Sequence, residues 1–135
     1  MSVTSDTLQV TSGRPGDKSA VHGYKKLRVW QLADQLAHEV YKATRNFPNE
    51  EQFGLVSQLR RSAVSVPTNL VEGQARKSRK EFRQFISMSL SSLAEVEYLL
   101  EFSYAEQYVA DGVYQSLSTL RQETGRLLWR LYESL

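Results

Sequence analysis

Residues 58–76 read QLRRSAVSVPTNLVEGQAR, a run with a helical period that also holds two adjacent arginines, a proline and a Glu-Gly step. On a helical wheel Leu59, Ala63, Val66 and Leu70 share one face, the spacing of a helix laid against a core. Arg60 falls at the edge of that face, where its methylenes can follow the core boundary while the guanidinium points outward. Arg61 lies nearly opposite, on an outer stripe with Ser65, Thr68 and Glu72, and the small residues of that stripe let another chain approach closely. Pro67 lacks an amide proton and crowds the carbonyl of Ala63, so a kink is expected there. Glu72 is expected to pair with Arg76 one turn on, and Gly73 to loosen or end the helix.

The same periodicity extends outward on both sides. A helix over about 26–45 places Val29, Ala33, Leu36, Ala37, Val40 and Thr44 on one face, and Phe47-Pro48 stops it. The helix of the quoted run is expected to open at Asn49, a capping residue with Gln52 three positions on, and to add Phe53 and Val56 to its buried stripe. A third helix begins at the Ser78/Glu81 capping box, runs to about Glu106, and aligns Phe82, Phe85, Ile86, Ser89, Leu93, Val96, Leu100 and Tyr104. A fourth starts at Asp111 and repeats Val113, Leu117, Leu120, Leu127, Leu128, Leu131 and Leu135. Four amphipathic helices on short connections predict an all-α fold, an antiparallel up-down four-helix bundle over 24–135. Residues 1–23 are rich in Ser, Thr, Gly and Asp without a hydrophobic period, and read as a flexible tail.

At 135 residues with 41% apolar content the chain is sized for one core. A formal charge of +2 is too small to argue for nucleic acid by itself, so any such argument rests on clustering. The absence of cysteine excludes thiol chemistry and disulfides, and with no bilayer-length apolar run or signal-peptide plan the expected location is cytoplasmic.

The segments Phe47-Pro48, Phe53-Gly54-Leu55, Gln58 to Pro67, Asn69 to Gly73 and Arg76 resemble the four helix bundle proteins of the bacterial 23S rRNA intervening-sequence family. The likeness runs from about Tyr24 to the C-terminus, with Leu70-Val71 where Ile-Ala is more usual. It implies a relation to the accessory variability determinant of diversity-generating retroelements, a pentameric barrel that binds reverse transcriptase and nucleic acid. It therefore implies a ring-like homo-oligomer, a pentamer, with a protein partner such as a reverse transcriptase.

A catalytic reading needs a nucleophile beside a base or carboxylates at metal spacing, and neither is visible. His22 lies in the tail, His38 sits off the core stripe, and Glu95 and Glu97 face different directions, so no enzyme activity, cofactor or metal is expected. The strongest signal is a basic run: Arg60, Arg61, Arg76, Lys77, Arg79, Lys80 and Arg83 against Glu72 and Glu81, with Lys25, Lys26 and Arg28 as candidates to extend it. Such a surface suits phosphate backbones of RNA or DNA. Trp129 falls far from the leucine stripe of the fourth helix, with Tyr114 and Tyr132 between, and reads as an interface residue. The expected function is a non-enzymatic homo-oligomer that binds nucleic acid through basic patches. The alternative is an assembly scaffold whose charge only solubilises it. The oligomer interface is assigned to Arg61, Ser65, Thr68, Glu72, Trp129 and Tyr132.

Overall fold

The computed structural model describes residues 23–135, so His22 and all of the expected tail but Gly23 lie outside the described residues. Gly23 is buried in a 3-10 turn, Gly23–Lys26, that leads into α1, Arg28–Thr44. Three further helices follow: α2, Ser57–Gln74, α3, Arg79–Ala105, and α4, Asp111–Ser134. No strand occurs among the described residues. α1 packs on α2 and α4, and α3 packs on α2 and α4, which closes a four-helix bundle of alternating direction. One end holds the start of α1, the α2–α3 turn and the C-terminus of α4. The other holds the α1–α2 corner and the α3–α4 loop. They are called here the Arg79 end and the Tyr108 end.

The core is built from the expected stripes. Leu36 and Val40 of α1, Leu59, Val66 and Leu70 of α2, Ile86, Val96 and Leu100 of α3 and Leu128 of α4 are all essentially inaccessible. Each such burial contributes about 1.5–3 kcal/mol before entropy is counted. α2 and α3 make the most extensive contact, through small residues. The Ser65 and Ser92 hydroxyls meet at 2.7 Å, and the buried Ser89 hydroxyl donates to the Val66 carbonyl at 2.8 Å. α2 continues through Pro67, which is buried within it.

Gly73 stands one residue before the last of α2, so the helix ends where expected, and the glycine also has a packing role. It is buried, and a Cβ there would stand 2.7 Å from Phe85 Cβ and 2.9 Å from Phe82 Cδ1, so it is the contact point of α2 with α3.

The N-terminal boundary of α2 also departs from expectation. Asn49 does not cap it: Asn49–Glu51 form a 3-10 turn behind Pro48 and Gln52–Val56 a π turn, so the α-helix begins at Ser57. The wider winding of a π turn changes the side-chain register. Phe53 is consequently 95% exposed instead of buried. Asp111 likewise is the first helical residue and not a cap; its carboxylate accepts from the Tyr104 hydroxyl at 2.7 Å, and Val113 is exposed. The Ser78 box forms as expected, with Ser78 Oγ accepting from the Glu81 amide at 3.1 Å. α3 ends in a Schellman arrangement in which the Tyr108 amide donates to Ser103 O and Gln107 occupies the left-handed region at φ 65°.

Candidate nucleic-acid interface

The basic run of residues 60–83 is divided by the fold. Arg60 and Arg76 are sixteen residues apart on and just beyond α2, about 24 Å along the axis. Arg60 and Arg61 therefore belong to the Tyr108 end, and Arg76, Lys77, Arg79, Lys80 and Arg83 to the Arg79 end.

Arg60 does not turn outward. Its Nε donates to Thr44 Oγ1 at 2.8 Å, its Nη2 to the Tyr41 carbonyl at 3.3 Å, and its guanidinium lies 4.4 Å from the centre of the Tyr41 ring. It thus serves the C-terminus of α1, where helical carbonyls lack amide partners and a cation is favoured. Arg61 is exposed beside Phe53, Ser65 and Thr68 along a groove on α2 that extends to Glu72. Ser65 is half-buried through its bond to Ser92, so the outer stripe is narrower than its wheel suggested.

At the Arg79 end the cations fall into two groups. Arg79 Nη2 donates to the Ser134 carbonyl at 2.7 Å, and Arg83 Nε to the Tyr132 carbonyl at 3.4 Å with its guanidinium 4.1 Å from the Tyr132 ring centre. Both cap α4 as Arg60 caps α1. Arg76 leans on the Phe85 ring at 4.8 Å rather than pairing with Glu72. Lys77 and Lys80 are exposed and extend from the turn and the first turn of α3.

Lys25, Lys26 and Arg28 enter the same end from the start of α1, as the sequence allowed. Arg126 and Arg130 enter it from the last turns of α4 and were missed, because they lie more than forty residues from the run in sequence. Their joint field is felt at Glu123. Its hydrogen bond to Arg126 is the chief cause that holds that carboxyl below the ordinary range; burial opposes it as the next largest effect, and the charges of Arg126, Arg28 and Arg130 reinforce the bond.

The half of the bundle made of 23–36, 66–92 and 123–135 carries ten Lys and Arg against five Asp and Glu. The half made of 37–65 and 93–122 carries five against eight. The bundle is a charge dipole, basic at the Arg79 end and acidic at the Tyr108 end.

Trp129 is 53% exposed, with its ring 5.5 Å from the half-buried Tyr132 in an edge-on arrangement. An apolar groove between α1 and α2 is lined by Trp30, Ala37, Val64, Pro67 and Val71, with Asp34, His38 and Thr68 at its rim. Asp34 and His38 pair at 3.5 Å. Among the described residues no three His, Asp or Glu side chains gather as a metal site would require, and no helix is long and apolar enough to cross a membrane.

The architecture is that of a four-helix bundle with one basic end. Residues 25–130 match the family model of the 23S rRNA-intervening sequence protein, and the chain belongs to that family. A crystal structure of a protein of unknown function of the S23 ribosomal protein family, from Bacteroides thetaiotaomicron VPI-5482, superposes with a TM-score of 0.72. That protein is 24% identical, and the match covers 78% of this chain and 95% of the other, a likeness of fold. No curated protein matches the chain.

Proposed function

We propose that this protein is a non-enzymatic homo-oligomer, a ring of five by family analogy, that binds RNA or DNA backbones through the Arg79 end of the bundle. The observation that carries the reading is the convergence there of cations from the segment that opens α1, the α2–α3 turn, the first turns of α3 and the last turns of α4, ten basic against five acidic residues. Arg60 and Arg61 are not part of this surface. Lys26, Arg76, Lys77 and Lys80 are the contacts to test, since none of their charged groups is engaged by a helix carbonyl. A protein partner such as a reverse transcriptase fits the same family analogy.

The test is a binding titration with unrelated RNA and DNA sequences at two salt concentrations. Wild type is expected to bind all of them, with log K falling against log salt by about 0.9 per duplex phosphate neutralised. Changing Lys26, Arg76, Lys77 and Lys80 to Ser is expected to weaken every sequence alike and flatten that slope. No salt-dependent binding at tens of micromolar leaves the scaffold reading. That reading has its own support: Arg79, Arg83 and Arg76 already have structural partners.

A further inference from the structure

We infer that Trp129 of one copy seats in the α1–α2 groove of the next, with neighbouring bundles side by side and their axes parallel. The inference rests on the homo-oligomeric reading above and specifies its contact.

The two surfaces are on opposite sides of the molecule. The groove lies between α1 and α2. Trp129 lies on the side of α4 that meets α3, since its ring abuts Tyr132, which carries the guanidinium of Arg83. A contact between opposite faces is heterologous and passes from copy to copy until the rotation closes a ring.

The surfaces also match in height. Trp129 is five residues from the last residue of α4, Asp34 six from the first of α1, and Thr68 six from the last of α2. At 1.5 Å per residue all three stand about 7.5–9 Å from the ends of their own helices on the Arg79 side. Parallel bundles therefore bring Trp129 level with Asp34 and Thr68 without sliding along their axes.

Chemistry agrees with height. A half-exposed indole meets a groove of Val64, Pro67 and Val71, and burial of that apolar area drives the contact. The indole N–H, a donor with one partner to find, arrives at the carboxylate of Asp34. Arg83 and Arg130 flank the Trp129 side, with Glu133 as the acid of that turn, whereas Asp34, paired with His38, edges the groove. The arrangement places every Arg79 end on one rim, so each copy's basic surplus adds to the next. Like ends repel side by side, so the parallel register rests on the height match and the indole contact, and charge alone would favour an antiparallel pair.

The experiment measures mass by light scattering for wild type, Trp129→Ala and Thr68→Arg, with circular dichroism to show that both exposed-site variants fold. Wild type is expected to be an oligomer and each variant a monomer. A mixture of the two variants retains one intact contact, the Trp129 of the Thr68→Arg chain with the open groove of the Trp129→Ala chain. It is expected to give a dimer and nothing larger. Oligomeric variants, loss of assembly in Trp129→Ala but not in Thr68→Arg, or a mixture that stays monomeric each overturn the pairing while leaving assembly standing. A monomeric wild type at tens of micromolar overturns both.

Discussion

Gly73 and Phe85 meet where α2 leaves the bundle and α3 enters it: a Cβ on Gly73 would lie 2.7 Å from that of Phe85. The neighbouring contact is a Cβ and an adjacent ring, neither the free end of a flexible chain, so relief requires the helices to part. Gly73→Ala is expected to destabilise by about 1–3 kcal/mol despite the better helix propensity of alanine. Chemical denaturation checks this, and an unchanged or raised midpoint would show that the helices can separate freely there.

Arg79 and Lys80 are adjacent in sequence and differ in role. Arg79 holds the Ser134 carbonyl at 2.7 Å, whereas Lys80 is exposed. Arg79→Ala is expected to cost about 1 kcal/mol of stability by uncapping α4, and Lys80→Ala less than half of that. In nucleic-acid titrations the order reverses, with Lys80→Ala reducing the salt slope and Arg79→Ala acting weakly. Equal effects of both in both measurements would contradict the division.

Gln107 sits at φ 65°, in the conformation that glycine adopts without steric cost. Gln107→Gly is expected to stabilise by about 0.5–1 kcal/mol, read as a rise in thermal midpoint of a few degrees. A fall would mean that the Gln107 side chain contributes more than its backbone strain removes.

Tyr104 and Tyr108 both resist ionisation. For Tyr104 the chief cause is its hydrogen bond to Asp111, and for Tyr108 it is burial, followed by its bond to Glu51. A raised folded-state pKa means that the fold favours the protonated phenol. Its stabilisation is full below the ordinary value near 10 and declines as pH rises through the folded value. Ultraviolet titration is expected to show a late-ionising phase that shrinks in Tyr108→Phe and again in Tyr104→Phe. A single phase near pH 10 would count against both contacts.

The period of the apolar residues determined the helices and most of the core, because burial of one face is a local property of each segment. Leu59, Ala63, Val66 and Leu70 are buried as their spacing required. Ser78 and Glu81 close their box because capping acts over three residues. The exposure of Trp129 followed from its angle on α4. Phe53 escaped the rule because a π turn changed the winding before α2, and no apolar period reports that. The charged site was legible in composition but not in arrangement. Arg60 and Lys77 look like one run in sequence, yet α2 carries them to opposite ends, while Lys26 and Arg130 arrive at the same end as Lys80 from distant segments. Gly73 read only as a helix end, since its packing role, the approach of Phe85, belongs to another helix. Periodicity encodes which face turns inward. Which ends meet, which cations cap carbonyls and which remain free are decided only when antiparallel packing brings distant residues into contact.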